Sequence, residues 1–146
     1  VSLPKQPVPG LVISYSYLWL DEHMRGVEES RKNRPCAIVA ARRIVEGREI
    51  VTVVPITHSL PADPADGIEM PAPLKAYLGL DDMPSWVVVS ETNDFLWPGP
   101  DLRPIPGSSP SRFHYGMLPP RFYAHLRDRL LQAHARRNLR RVQRTD

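Results

Sequence analysis

Two stretches of the chain carry hydrogen-bonding side chains to the ends of apolar runs. In Asn33-Arg34-Pro35-Cys36-Ala37-Ile38-Val39-Ala40-Ala41 a charged segment ends in an arginine and a proline before the chain turns apolar. Pro35 has no N–H to give to a ladder, so it belongs at the first residue of a strand. It also holds Arg34 extended, at the lip of that strand. In Val53-Val54-Pro55-Ile56-Thr57-His58-Ser59 an apolar run opens into a hydroxyl, an imidazole and a second hydroxyl. If the two runs are antiparallel neighbours, Arg34 and Thr57 emerge at the same end of one sheet. Arg34 could then hold a phosphate through two parallel N–H bonds, with one more bond from Thr57. A loop arginine can equally cap a sheet edge or pair with a carboxylate. An imidazole ordinarily titrates near neutrality, so His58 could move protons or simply be a solvated loop side chain. Glu29 could act as a base, orient Arg34, or form a loop salt bridge to Arg31 or Arg34.

Other chemistries find less support. The histidines His23, His58, His114, His125 and His134 are scattered, and none pairs at i, i+4 or with Cys36, so no metal site and no cofactor is expected. A glycine-rich phosphate loop is missing, which disfavours a nucleoside-triphosphate enzyme. Cys36 is the sole cysteine and lies inside an apolar run. It reads as a small buried hydrophobe, not a nucleophile, and fits a reducing cytosol. No signal peptide and no apolar stretch near the roughly 18 residues of a membrane span is present, so a cytoplasmic protein without a membrane partner is expected.

The elements that must position Arg34 and Thr57 are strands. Seventeen prolines among 146 residues are about twice the usual share of roughly 5% and argue for short strands and many turns. Residues 1–9 read as a loose arm. Leu11, Ile13, Tyr15 and Tyr17 alternate along a first half-buried strand, followed by a charged loop from Asp21 to Asn33. Pro35–Ala41 and Ile50–Ile56 form the next two strands, joined by a turn at Glu46-Gly47-Arg48. Gly67–Met70 is a short strand. Pro71–Gly79 is a short helix with prolines in its first turn and a glycine stop. Ser85–Glu91 is strongly β-prone, whereas Thr92–Pro110 holds five prolines and must be extended or turning. After Pro119-Pro120 comes the one long helix, with Phe122, Leu126, Leu130 and Ala133 as its apolar stripe. The expected class is mainly β with α (α+β): a compact, strongly bent antiparallel sheet or small barrel closed by a C-terminal helix, all in one domain of residues 1–146.

Net charge is +3, but from Arg121 onward eight arginines face only Asp128 and Asp146. Positive charge is therefore concentrated in the final helix and in a basic tail, residues 138–146, that is expected to fray. Arginine makes up sixteen of the nineteen basic residues and is the side chain suited to bidentate phosphate contact.

These pieces, in this order, resemble the MazF/PemK toxins of bacterial toxin–antitoxin systems. Pro9-Gly10-Leu11-Val12 is similar to the family's opening glycine and strand, and Glu29 through Arg34-Pro35 to its Glu-x4-Arg-Pro signature. Val54-Pro55-Ile56-Thr57 resembles the strand that ends in its catalytic threonine. Val87–Glu91 resembles a later core strand, and Leu118–Ala133 its terminal helix. The resemblance covers most of residues 9–137. It implies an SH3-like barrel of the CcdB/PemK kind and a homodimer. It further implies a metal-independent endoribonuclease, selective in sequence, that is neutralised by a cognate antitoxin. Arg34 and Thr57 carry over as catalytic, with Glu29 beside them, and His58 or Glu29 is the candidate base. Single-stranded RNA would be cut by its own 2′-hydroxyl, leaving 2′,3′-cyclic phosphate and 5′-hydroxyl ends. Arg31, Lys32 and Ser59 are the expected RNA contacts, and Trp97, in the proline-rich stretch, a stacking platform. The chain departs from the family in lacking a Gly-Ser-Glu-Gln run between Asp21 and Asn33, in a long insertion over 98–115, and in its basic tail. Two rivals remain: a non-catalytic barrel acting by protein contacts, such as a gyrase poison or an inactive toxin relative, and a nucleic-acid-binding accessory domain.

Overall fold

The computed structural model describes residues 7–19, 33–43, 47–99, 102–136 and 140–143. The central strands are β1 (Leu11–Ser16), β2 (Asn33–Arg43) and β3 (Glu49–Thr57), an antiparallel meander. Alternation along each strand sends side chains to opposite faces. Leu11, Ile13, Tyr15, Cys36, Ile38, Val51 and Val53 line one face, and Val12, Ala37, Val54 and Ile56 line the other. The β2–β3 register slips at Val39, between the pairs Ile38–Val53 and Ala40–Thr52. One extra residue on β2 reverses the phase, which is why Ala41 packs with Ile38 on the first face.

The short strands β4 (Gly67–Glu69) and β5 (Trp86–Val88) flank helix α1 (Ala72–Leu78), while β6 (Glu91–Leu96) and β7 (His114–Met117) precede helix α2 (Pro120–Ala135). A last strand, β8 (Arg140–Gln143), runs parallel to β6. The hydrogen-bonded path is β4-β5-β3-β2-β1-β7. The outer edge of β3 serves two partners, β6 along Ile50–Val53 and β5 at Ile56 and Thr57. Pro55 stands in the gap between those ladders, the place on an internal strand where a missing N–H interrupts least.

The expected barrel is not formed. Closure requires the ends of the path to pair, but β7 pairs with β1 and β4 with β5, and the sheet stays open. Its apolar faces are covered in other ways. Helices α1 and α2 bury Leu74, Leu78 and Leu126 against one face. The other is covered by Tyr17, Trp19, Trp97, Leu102 and Phe113. Of the basic tail, Arg140–Gln143 lie among the described residues and pair residue for residue with Glu91–Asp94. Strand β6 places four polar residues out of solvent: Glu91, Thr92, Asn93 and Asp94. The Tyr17 hydroxyl donates to Glu91 and Thr52 donates to Asp94, so part of that polarity is satisfied within the sheet. Burial, reinforced by the Glu91 charge, pushes the Tyr17 phenol well above its ordinary value.

Candidate functional site

Pairing of β2 with β3 brings the arginine and threonine together. The ladder runs through Cys36–Pro55 and Ala37–Val54. Carried two residues further, that register sets Arg34 opposite Thr57, and directly opposed residues share a face. Both line a cleft of about 490 Å³, with Asn33, Pro35, Ile56 and His58 from the same sheet end. Gly79, Leu80, Asp81 and Ser85 form the wall between α1 and β5, and Ile105, Pro106 and Tyr115 form the wall leading into β7. The volume falls in the range of roughly 300–1,000 Å³ found for small-molecule sites.

Arg34 and Thr57 are more deeply set than a strand lip suggests, with 7% and 3% of their surface exposed. Arg34 is positioned from behind. Its guanidinium carbon lies 5.3 Å from the centre of the Trp19 ring, within the range of a cation–π contact, worth up to about 2 kcal/mol when desolvated. The backbone just before Trp19 is held by Asn93, whose side-chain oxygen accepts from the Leu18 N–H and whose NH₂ donates to the Leu18 carbonyl, each at 2.9 Å. The Thr57 hydroxyl accepts from the Ser59 N–H at 3.1 Å. That bond occupies a lone pair and leaves the hydroxyl proton for an acceptor.

His58 lies beside Thr57 and is held on both sides. Its Nε2 is 2.9 Å from Asp81 Oδ2, and its Nδ1 is 2.9 Å from the Pro84 carbonyl and 3.1 Å from Ser85 Oγ. A carbonyl and a carboxylate only accept, so both contacts are satisfied when each ring nitrogen carries a proton. Asp81 is itself anchored, its Oδ1 accepting from Lys75 Nζ at 3.2 Å and from the Met83 N–H at 3.1 Å. Lys75 Nζ, nearly inaccessible to solvent, also donates to the Met83 carbonyl. Desolvation works against the Asp81 charge. The Lys75 and Met83 bonds and nearby His58 outweigh it and hold the carboxyl below its usual value.

Ser85, His58 and Asp81 stand in the order of a nucleophilic triad. The other hydrogen bonds of the group argue against that use. To activate Ser85, Nδ1 would need a free lone pair, but it donates to Pro84, and the Ser85 hydroxyl donates to the Met83 carbonyl at 3.2 Å. The group is a charged clamp on the cleft wall. Tyr115 also lines the cleft, and burial raises its phenol above the ordinary value.

Of the residues singled out in the sequence, Arg34, Thr57 and His58 meet in the cleft. Ser59 is half-buried beside it and contributes its backbone N–H to Thr57. Glu29, Arg31 and Lys32 lie outside the described residues. Trp97 is not a surface platform: it is 7% exposed and packs 6.0 Å from Phe95, centre to centre, on the aromatic face. As residues i and i+2 of an extended run, Phe95 and Trp97 point the same way, and Phe95 points into the core. Cys36 is fully buried, which drives its thiol far up despite nearby Arg34. Lys75, Asp81, Ser85 and Tyr115 were not singled out from the sequence. The one trace of them was the glycine stop at Gly79, which forces the chain to turn just before Asp81.

Among the described residues, no group of three or more His, Cys, Asp or Glu side chains converges as metal ligands, and no helix is long and apolar enough to cross a membrane. No protein-family model matches the chain, and no curated protein or solved structure matches it either. Geometry and chemistry therefore carry the assignment.

Proposed function

We propose that the protein is an endoribonuclease toxin of the MazF/PemK kind, cutting single-stranded RNA by attack of the 2′-hydroxyl on the adjacent phosphorus. The observation that carries the proposal is the donor array of one cleft, in which Arg34, the Thr57 hydroxyl and the His58 ring converge from the ends of β2 and β3. Such an array suits a phosphodiester. Arg34 supplies a fixed positive charge where negative charge grows on the equatorial oxygens, and Thr57 holds one of them. Ile56, Leu80, Ile105 and Pro106 offer apolar surface for the neighbouring base or ribose. The 2′-hydroxyl is the nucleophile, so the chemistry asks the protein for charge and proton handling and for no metal. The open sheet departs at β4 and β7 from the closed barrel that the resemblance implies, while β2 and β3, which carry Arg34 and Thr57, remain paired. On this proposal the protein works in the cytoplasm as a homodimer and is neutralised by a cognate antitoxin.

Arg34→Ala and Thr57→Ala test the proposal. Losing one such donor costs about 3 kcal/mol, roughly a hundredfold in rate. Cleavage should fall by that much in excess EDTA and in its absence alike. Growth inhibition that survives the double substitution would favour the protein-binding rival.

A further inference from the structure

The surroundings of His58 suit a proton donor better than a base. Both its nitrogens face acceptors, Asp81 on one side and the Pro84 carbonyl with Ser85 Oγ on the other. The two sides are unequal. Nε2 is tied to an ionised carboxylate that Lys75 and the Met83 N–H hold in place. Nδ1 is shared between neutral acceptors, and one of these, Ser85, lines the cleft. The Nδ1 proton is the easier one to give up to a substrate oxygen. The ring that remains, protonated on Nε2, is the tautomer that Asp81 stabilises.

Resting on the ribonuclease proposal, we propose that His58 is the general acid of this cleft and that Asp81 and Lys75 are its positioning residues. In the step, the 2′-oxygen bonds to phosphorus and loses its proton to solvent water. The bond from phosphorus to the 5′-oxygen breaks, and the His58 Nδ1 proton passes to that departing oxygen. His58 is left neutral, bonded through Nε2–H to Asp81, and regains its proton from solvent. The assignment takes His58 out of the role of base. It also explains why a lysine is buried behind the clamp: with Lys75 and Met83 holding Asp81, the imidazole is fixed in one orientation.

The test compares two substrates built on one RNA whose cut site has been mapped with the wild-type protein. One has the ordinary 5′-oxygen at the cut bond, the other a bridging 5′-sulfur, which leaves as a thiolate without protonation. His58→Ala should slow cleavage of the oxygen substrate about a hundredfold or more and that of the sulfur substrate by a few-fold at most. Asp81→Asn should show the same pattern in weaker form, and it supplies the comparison if His58→Ala does not fold. Arg34→Ala should be slow on both. Equal losses on the two substrates, or no loss on the oxygen substrate, would overturn the acid role and leave the ribonuclease proposal standing. Wild-type protein that gives no cut site to map in any RNA offered would overturn the ribonuclease proposal and the acid role together.

Discussion

Replacing Lys75 by methionine separates the stability of the clamp from its use. Lys75 is 4% exposed and donates to Asp81 and to the Met83 carbonyl. A hydrogen bond to a charged group contributes about 1.5–3 kcal/mol. Two things shrink the net loss here. The Asp81 side chain is 54% exposed, so water replaces the ammonium and the carboxylate is not stranded. Methionine has nearly the same volume, and trading a buried charge for a packed apolar side chain is often neutral. The expected cost at pH 7 is therefore about 1 kcal/mol or less, roughly 2–4 °C in Tm for a chain of this size. The pH dependence should change as well. Asp81 has a lowered folded pKa, so its contribution is present above the unfolded carboxylate value of about 3.9 and is lost as pH falls through the folded value. Without Lys75 that value moves back up, and the stability lost below about pH 4 becomes smaller. Urea melts of both proteins at pH 7 and pH 3 measure this directly. A loss above about 3 kcal/mol at pH 7, the cost typical of an uncompensated buried charge, would refute the reasoning, and so would an unchanged acid dependence.

Trp97→Ala should behave as a core truncation and destabilise by about 3–5 kcal/mol, as read by denaturant melts. A stable variant with weakened RNA binding would return Trp97 to the surface. Deleting residues 138–146 removes β8 from the edge of β6 and uncovers Glu91–Asp94, so Tm should fall. RNA affinity should also weaken and lose part of its salt dependence as arginines go, while turnover of saturating RNA by the folded fraction stays near normal. Cleavage abolished in protein that still melts cooperatively would place the tail in the active site.

The sheet centre and both helices were legible because their signals are local. Alternation in Leu11–Tyr17, the proline-bounded runs after Arg34 and before Thr57, the stop at Gly79 and the four-residue stripe from Phe122 each specify an element without help from elsewhere. The meeting of Arg34 with Thr57 followed from treating neighbouring runs as a hairpin. Strand β6 was hidden because Glu-Thr-Asn-Asp is a loop composition, and its burial depends on β3 and β8, distant in sequence. β7, four residues between Pro110 and Pro119, carries no strand pattern of its own, and β8 was hidden within a run of arginines. Trp97 was misjudged for a similar reason: the prolines after it suggested surface, while its phase with Phe95 decided for the core. The clamp on His58 was out of reach, since Asp81 and Ser85 lie more than twenty residues away and are brought in by the turn after α1. An open bent sheet and a closed barrel both fitted the strand pattern, the resemblance favoured closure, and no local signal in β4 or β7 could have decided between them.

The central claim is that the cleft turns an RNA strand's own 2′-hydroxyl against its phosphodiester. One substitution tests it most directly: a single 2′-deoxy nucleotide at the mapped cut site of an otherwise unmodified RNA. Cleavage there should stop, while binding stays nearly unchanged because backbone charge dominates affinity. The unmodified RNA should yield a 2′,3′-cyclic phosphate on the upstream product and a 5′-hydroxyl on the downstream one. Cleavage that continues at the deoxy position, or a 5′-phosphate on the downstream product, would contradict the account.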